Sequence, residues 1–273
     1  MKVNNIVIGT LICYSYTRKG DIMNKRQSQI LDLLTKNKKM EVVKLSQLLN
    51  VSQVTIRKDL GTLENSGIII REHGYARLNE SDDINNRLAC HYETKWEIAK
   101  KAIDCIEDGE TIMIESGSCC ALVALQIAKC KKDITLITNS AFIADYIRKV
   151  GTVKVILLGG EYQNESQVMV GPLMRKCVEG FFVDKLFIGT DGFTIATGFT
   201  GNDFMRSEAV KDMAKQASQV IVVTDSAKFS QKGVVNLIEL EKVKKLYTDS
   251  NIPCQIENYL LKQNISVIKT KSC

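Results

Sequence analysis

The N-terminal part of this chain contains a segment with a strong structural signal, Leu49-Asn50-Val51-Ser52-Gln53-Val54-Thr55-Ile56-Arg57-Lys58-Asp59-Leu60. Ser52 is well placed to cap a helix that continues to about Asn65, because its hydroxyl can satisfy amide groups of the first turn. A shorter amphipathic helix is predicted before it from the apolar residues Val42, Val43, Leu45, Leu48 and Leu49. Two short helices joined by Leu49 to Ser52 have the spacing of a helix-turn-helix.

The helix that follows Ser52 has two distinct faces. With Ile56, Leu60 and Leu63 turned inward, the residues between them face outward. On such a surface arginine can bind guanine, glutamine can bind adenine, and a valine methyl can touch the thymine methyl. The start of the helix can bind a phosphate. The residues of this segment predicted to contact DNA are Ser52, Gln53, Val54, Thr55, Arg57 and Lys58.

The flanking sequence predicts a winged form of this fold. An apolar stripe between Ile30 and Leu34 indicates a first helix, which the polar residues 35–39 end. After Gly67, the apolar runs 68–71 and 76–78 flank His73-Gly74, which is typical of a two-stranded wing with a tight turn. The wing would bring Arg71 and Arg77 beside the DNA backbone. A three-helix interaction module with a charged surface would show the same helix spacing.

Positive charge is concentrated in the first third of the chain. Residues 24–79 carry ten Lys/Arg and five Asp/Glu, whereas residues 80–273 carry 24 basic and 25 acidic side chains. This distribution favours a polyanionic partner for the first part, although a solvated surface could carry the same charge.

The first 22 residues differ from the rest. Ile6 to Cys13 is a short apolar patch behind Lys2, but it lacks the cleavage site of a signal peptide and precedes a DNA-binding pattern. Our hypothesis is that residues 1–22 are a leader and that translation starts at Met23. No apolar stretch reaches the ~18–20 residues that a membrane span needs, so we expect a cytoplasmic protein.

The nine cysteines form no framework, because no Cys-x-x-Cys is present and most lie in apolar runs. Reduced thiols are therefore expected, with a redox-sensing Cys119–Cys120 pair as the alternative. His73 and His91 fall in or near loops, and no ligand set at matched spacing accompanies them. The sequence thus predicts no metal, no cofactor and no catalytic residue.

The rest of the chain alternates short apolar strands with helices. Residues 79–92 are polar and are interpreted as a linker, and residues 93–273 as a second domain. Short, nearly continuous apolar strands separated by helices are typical of a mostly parallel sheet covered on both faces. The strands are predicted at 111–114, 134–138, 153–158, 185–189, 220–224, 245–247 and 265–268, and the helices at 96–106, 119–130, 141–149, 205–217 and 256–262.

Small polar residues follow four of these strands, at the sheet edge where ligands of such folds bind. Backbone amides at helix starts, with serine and threonine hydroxyls, suit a phosphate, and Lys228 could add a charge. Glu115 and Asp191 could bind sugar hydroxyls, although glycine and serine also simply make turns. The predicted effector-binding residues are Glu115, Gly117, Ser118, Cys119, Thr138, Asn139, Ser140, Asp191, Gly192 and Lys228.

The N-terminal motif closely resembles the DeoR family of bacterial regulators. The resemblance rests on Arg26-Gln27, on Leu45 to Glu64 with its Thr55-Ile56-Arg57-Lys58-Asp59-Leu60 core, and on Gly67 to Gly74. It implies that this core lies in the recognition helix. Tyr75 departs from the pattern, since the family usually has a second glycine there.

The C-terminal part is similar to the same family. It carries Thr138-Asn139-Ser140, Leu158-Gly159-Gly160, Gly189-Thr190-Asp191-Gly192, Ser207 to Met213 and Asp225 to Phe229, whereas Glu115 and Cys119 replace the usual Asp and Thr. The resemblance implies a sensor domain similar to ribose-5-phosphate isomerase, with a sugar phosphate as effector. It further implies a homo-oligomeric repressor of carbohydrate metabolism genes that binds a double-stranded DNA operator.

Two other interpretations stay open at this point. One is a sugar-phosphate isomerase or transferase with a DNA-binding appendage, and the other is a DNA-tethered adaptor without a ligand.

Overall fold

The computed structural model describes residues 24–65, 68–79 and 83–270, which form two compact units that divide between Leu78 and Asn79. The proposed leader 1–22, the proposed start Met23, Gly67 of the wing motif and residues 80–82 of the predicted linker lie outside the described residues.

In its described residues, the first unit combines three helices with a small antiparallel sheet, whose strand order is β1-β3-β2. Its elements are α1 (Lys25–Asn37), β1 (Lys39–Glu41), α2 (Val42–Leu48), α3 (Gln53–Asn65), β2 (Ile69–Glu72) and β3 (Tyr75–Leu78). Ile30, Leu45, Ile56 and Leu60 are fully buried between the helices. Each such side chain contributes about 1.5–3 kcal/mol of hydrophobic stabilisation, so the predicted inward stripe is the core of this unit.

The wing has three strands rather than the two that the sequence predicted. β2 and β3 are joined by His73-Gly74, and Gly74 adopts φ +80°, which a glycine tolerates in a two-residue turn. The missed strand is β1, which lies in the polar run after α1 and pairs with β3 so that Met40 faces Ala76. A single buried side chain, Met40, fixes this strand, and one apolar residue gives no periodic signal.

The predicted linker 79–92 contains a helix, which corrects our interpretation of that segment. Helix α4 (Ile84–Ala89) begins after Asp83, whose side chain accepts a hydrogen bond from the Asn85 amide at 2.7 Å. Ile84 and Leu88 are buried, and α4 packs on the helix that starts at Ser118. The helix was not predicted because Ile84 and Leu88, four residues apart, are surrounded by polar residues. The next helix, α5 (Tyr92–Ala102), follows almost immediately.

The second unit is built on a seven-stranded, entirely parallel sheet of order β15-β14-β12-β9-β4-β5-β6. The strands of this unit are β4 (Thr111–Ile114), β5 (Thr135–Thr138), β6 (Lys154–Leu157), β7 (Glu161–Gln163), β8 (Val168–Val170), β9 (Val183–Ile188), β10 (Gly192–Thr194), β11 (Gly198–Gly201), β12 (Ala217–Val223), β13 (Val235–Asn236), β14 (Val243–Asp249) and β15 (Ser266–Thr270). The predicted parallel α/β fold is therefore confirmed. Two small antiparallel sheets, β7-β8 and β10-β11-β13, lie outside the main sheet and were not predicted.

Helices cover the main sheet. They are α6 (Ser118–Cys130), α7 (Ala141–Ile147), α8 (Gly171–Val178), α9 (Phe204–Lys215) and α10 (Cys254–Lys262). α5 packs on α6 and α6 on α7, whereas α8 packs on α9 and shares an apolar core with the strands and α10. No helix among the described residues is long and apolar enough to cross a membrane.

The strand order creates a switch point between β4 and β9. From β4 the chain adds β5 and β6 on one side, then returns to place β9, β12, β14 and β15 on the other. In open parallel sheets the loops at the carboxyl ends diverge at such a point and leave a crevice for a ligand.

Candidate nucleic-acid interface and strand-end site

Ser52 caps the recognition helix α3 as the sequence predicted. Its Oγ accepts a hydrogen bond from the Thr55 amide at 3.2 Å and lies 2.9 Å from Thr55 Oγ1. Both side chains remain at the surface at the start of the helix. The cap therefore fixes the first turn of α3 and leaves these hydroxyls accessible.

The outer face of α3 carries the predicted DNA contacts. Val54 is 74% exposed, and Arg57 and Lys58 are also exposed, whereas Ile56 is fully buried. Arg57 Nη2 donates to Gln53 Oε1 at 3.1 Å. Because this bond runs one turn along the helix, it holds the guanidinium over the same exposed face as Val54 and Gln53.

Asp59 is the functionally placed residue that sequence reasoning missed on α3. It is buried, and Arg26 of α1 donates to its carboxylate through Nε at 2.5 Å and Nη2 at 3.2 Å. The hydrogen bond with Asp59 raises the pKa of Arg26 above its ordinary value. Asp59 thus orients the recognition helix and does not face a ligand. In the sequence, its position between the outward-facing Lys58 and the inward-facing Leu60 is the pattern that indicates this role.

Both predicted wing arginines are paired with carboxylates of their own unit. Arg71 Nη1 lies 3.4 Å from Glu64 Oε2, and Arg77 Nε donates to Glu72 Oε1 at 2.9 Å. Glu72 also accepts from Lys39 at 2.5 Å. The hydrogen bonds from Arg77 and Lys39 lower the pKa of Glu72 to about 2, so its charge offsets theirs at neutral pH.

Tyr75, the departure from the family pattern, ties the wing to β1. Its hydroxyl donates to Glu41 Oε1 at 2.8 Å, and Lys39 Nζ lies 4.8 Å from the ring centroid. A glycine could make neither contact, so Tyr75 adds two contacts between the wing and β1.

In the second unit, Glu115 bridges the loops that follow β4 and β9. Its Oε2 accepts from the Gly117 amide at 3.0 Å and from the Gly189 amide at 3.3 Å, while Ser116 Oγ donates to its Oε1 at 2.7 Å. A Cβ on Gly117 would lie 3.3 Å from the Cα of Gly189, so the two loops meet closely. Glu115 therefore uses its carboxylate to join the two sides of the switch point.

Helix α6 begins at this junction with a free first turn. Its N-cap residue Gly117 offers no side-chain cap, and Ser118 and Cys119 form the start of the 13-residue helix. The Cys119 thiol is buried, and this burial raises its pKa to about 12. Lys95, Asp225 and Lys228 lie close enough to act on the same thiol. Two cations thus stand near the positive end of a helix dipole.

Asp225 contacts two side chains, His91 and Lys95, that sequence reasoning did not associate with this site. His91 Nδ1 lies 3.2 Å from Asp225 Oδ1, and Lys95 Nζ lies 4.0 Å from Oδ2. Desolvation opposes ionisation of Asp225, but His91 and Lys95 outweigh it and lower its pKa to about 2. His91 and Lys95 lie more than a hundred residues before Asp225, so no local motif could have indicated them.

The other predicted effector residues serve mainly local structure. Thr138, Asn139 and Ser140 are buried: Thr138 Oγ1 accepts from the Ser140 amide, Ser140 Oγ caps α7, and Asn139 Nδ2 donates to Met169 O at 3.1 Å. Asp191 Oδ2 accepts from the Asn202 amide at 2.8 Å, and Gly192 pairs with Thr200. Lys228 Nζ is exposed and donates to Gln231 Oε1 at 3.1 Å.

The geometry bears on metal binding and on the redox-sensing alternative for Cys119 and Cys120. Within the described ranges no group of three or more His, Cys, Asp or Glu side chains could hold a metal ion. Cys119 and Cys120 are free thiols, and burial raises the pKa of both. Neither is poised as a thiolate at neutral pH, which weighs against a redox-sensing pair.

A capped recognition helix with a basic outer face, a wing, and a separate parallel α/β unit whose strand-end site holds both lysines and carboxylates define a DNA-binding regulator with a sensor domain. Residues 26–82 match the DeoR-like helix-turn-helix domain, and residues 90–250 match the DeoR C terminal sensor domain. The chain belongs to the DeoR family of transcriptional regulators.

Named relatives align over most of their length. A putative aga operon transcriptional repressor of Escherichia coli O157:H7 is 28% identical over 251 residues, which cover 90% of this chain and 93% of that protein. The HTH-type transcriptional regulator GolR of Listeria innocua is 30% identical over 232 residues, which cover 84% and 91%. The L-fucose operon activator of Escherichia coli K12 is 27% identical over 230 residues, which cover 82% and 94%.

Solved structures resemble the chain only distantly. Ribose 5-phosphate isomerase from Plasmodium falciparum aligns with a TM-score of 0.36 at 19% identity, covering 50% of this chain and 52% of that one. The eIF2B beta subunit from Chaetomium thermophilum aligns with a TM-score of 0.41 at 13% identity, covering 63% and 54%.

Proposed function

We propose that this protein is a cytoplasmic repressor of carbohydrate metabolism genes, which binds operator DNA as a homo-oligomer and responds to a phosphorylated sugar or related metabolite. The observation that carries the proposal is the free N-terminus of α6 beside Lys95 and Lys228. Unpaired helix amides and nearby ammonium groups are the donors that a phosphate dianion requires.

The names of the relatives support the proposed target genes. Their names refer to the aga and L-fucose operons, and they include a repressor as well as an activator. Repression is the mode given in the name of the aga relative, and a single winged helix reads only a short half-site. An oligomer, at least a dimer, is therefore expected to read a repeated or palindromic operator.

DNA contact is assigned to the exposed face of the first unit. Gln53, Val54, Arg57 and Lys58 are placed to read base edges, whereas Ser52 and Thr55 at the helix start are placed for a phosphate. Arg71 and Arg77 on the wing would contact the backbone after exchanging their carboxylate partners for phosphates.

A purely binding role is favoured over catalysis. The carboxylate of Asp225 has a pKa of about 2, which makes it a weak base at neutral pH. The Cys119 thiol, with a pKa of about 12, is protonated and so a poor nucleophile. Both groups lie at the proposed phosphate site, and neither is tuned for proton transfer or covalent attack.

The DNA-binding part is tested by changing Arg57 and Lys58 to alanine together. The operator is first located by footprinting the DNA upstream of the protein's own and neighbouring genes. We expect at least about a hundredfold loss of operator affinity and a smaller loss for a random duplex, because both side chains are assigned to base edges. The double change of Lys100 and Lys101 to alanine removes the same charge from exposed positions of α5 and should leave affinity within about twofold. Equal operator binding by the two double variants would overturn the proposed reading surface.

The sensing part is tested by thermal shift against hexose, hexosamine and polyol phosphates, with the unphosphorylated compounds as controls. A phosphorylated compound at a hundred times its Kd should stabilise the protein by about 2.7 kcal/mol, and Lys228→Met should weaken its binding at least about tenfold. Stabilisation by no phosphorylated compound would favour the ligand-free adaptor. Turnover of a phosphorylated sugar by the purified protein would instead favour the enzyme.

A further inference from the structure

A buried lysine connects the strand-end site to the helix that opens the second unit. Lys95 on α5 is 4% exposed, and its ammonium donates to the carbonyl oxygen of Arg87 at 2.5 Å. Arg87 lies in the last turn of α4, where carbonyl groups lack partners within the helix. Lys95 thus satisfies the carboxyl end of α4 from the neighbouring helix.

The Asp225 carboxylate contacts both the turn between α4 and α5 and the first part of α5. Asp225 at the end of β12 lies 4.0 Å from the Lys95 ammonium and 3.2 Å from His91 Nδ1. His91 has φ 53° and ψ 37°, a left-handed conformation that a non-glycine residue adopts at a cost. Its contact with Asp225 helps to keep the turn in that conformation.

An anion at the start of α6 would act on this arrangement directly. Helix α5, which carries Lys95, packs on α6, and Lys95, Asp225 and Lys228 act electrostatically on the buried Cys119 thiol in the first turn of α6. A phosphate placed there attracts the Lys95 ammonium and repels the Asp225 carboxylate. The Lys95 ammonium has three protons, but an anion that draws it toward α6 lengthens its hydrogen bond to the Arg87 carbonyl and moves it away from Asp225.

We propose that Lys95 is a positioning residue that fastens α4 to the strand-end site, and that an anion bound at the start of α6 loosens α4 by drawing the Lys95 ammonium away from the Arg87 carbonyl. The contact between Lys95 and α4 does not depend on a ligand, whereas the release of α4 by an anion rests on the proposed function. Because α4 is the first helix after the DNA-binding unit in the chain, its release gives the bound effector a physical route to that unit.

The fastening is tested by hydrogen exchange of residues 83–91 in the full chain without ligand. Lys95→Met keeps the length of the side chain and removes the ammonium, and we expect the α4 amides to exchange at least about tenfold faster. Lys101→Met on the same helix removes an exposed lysine paired with Asp104 and should leave α4 unchanged. Equal exchange of α4 in Lys95→Met and Lys101→Met would overturn the fastening.

A second variant covers the case in which Lys95→Met does not fold. Asp225→Asn keeps the shape of the side chain and its acceptor for the Ala227 amide, but it removes the charge that attracts His91 and Lys95. It should also accelerate exchange of α4, by about threefold or more. Unchanged exchange in this variant would again contradict the proposal.

Release by an anion is tested with inorganic phosphate as the probe. Phosphate that stabilises the parent protein in a thermal shift should accelerate exchange of α4 in the parent and have no further effect in Lys95→Met. Stabilisation without a change in α4 would overturn the release while leaving the proposed function standing. No stabilisation by phosphate or by any phosphorylated sugar would refute the effector class and the release together, and the ligand-free exchange would still decide the fastening.

Discussion

Arg26 holds Asp59 with two hydrogen bonds, from Nε to Oδ2 at 2.5 Å and from Nη2 to Oδ1 at 3.2 Å, and so joins α1 to the recognition helix. Asp59 is buried at the interface, whereas its neighbour Lys58 is exposed. Removal of the partner of this buried carboxylate lowers the free energy of unfolding, because burial of an unpaired charge carries a large desolvation cost.

Arg26→Met is therefore expected to destabilise the first unit by about 2–4 kcal/mol. The comparison is Arg148→Met, which breaks an exposed pair with Asp145 and should cost less than about 1 kcal/mol. Hydrogen exchange of the α3 amides measures the first unit without relying on a two-state transition of the whole chain. Equal protection of α3 in both variants would show that the pair with Asp59 does not hold the helix.

Glu72→Gln is expected to strengthen non-specific DNA binding. At neutral pH the Glu72 carboxylate, with its pKa lowered to about 2, is ionised and pairs with Arg77 and Lys39. Its neutralisation frees both cations for phosphates, and each new phosphate contact steepens the slope of log K against log salt by about 0.9.

Titrations of a random duplex at several salt concentrations measure this slope. Asp104→Asn makes the same change of charge in the second unit and should leave the slope unaltered, since it frees only Lys101. A slope in Glu72→Gln identical to that of the parent would mean that the wing cations do not reach DNA.

The sequence predicted those features that repeat along the chain or occur in a compact motif. The outward face of α3 followed from the spacing of Ile56, Leu60 and Leu63, and the parallel sheet followed from its apolar strands. Strand β1 and helix α4 were missed because their few buried apolar side chains, Met40 in β1 and Ile84, Leu88 and Ala89 in α4, lie in polar stretches.

The candidate sensor site could be predicted only in part, since its members come from distant segments. Gly117, Ser118, Cys119 and Lys228 were predicted from strand-end motifs, and their role in binding stays a prediction, whereas Lys95 and His91 are brought to Asp225 by the packing of α5. Glu115 was expected to bind a ligand, yet its hydrogen bonds run to its own two loops, and sequence alone does not show which amides a carboxylate will reach.

The buried thiols Cys119 and Cys120 are expected to resist alkylation in the native protein. Burial raises the pKa of both, so the reactive thiolate forms only at strongly alkaline pH. At pH 8, iodoacetamide should label the exposed Cys130 and Cys254 at least about tenfold faster, as followed by peptide mass spectrometry. Labelling in urea confirms that both buried thiols are chemically intact. Rapid native labelling, or a Cys119–Cys120 disulfide that abolishes DNA binding, would restore the redox-sensing interpretation.

Glu115→Ala is expected to separate a bridging role from direct ligand binding. Loss of the carboxylate leaves the amides of Gly117 and Gly189 without this acceptor, which should lower the stability of the second unit by about 1–3 kcal/mol in the absence of any ligand. Because α6 starts immediately after Gly117, phosphate binding should weaken as well. Glu115→Gln retains an oxygen that can accept from both amides, and it should keep most of the stability and of the phosphate affinity. Thermal melting without ligand and titration with inorganic phosphate distinguish the two roles: a direct ligand contact would leave ligand-free melting of Glu115→Ala unchanged, because only the bound state would then depend on the carboxylate.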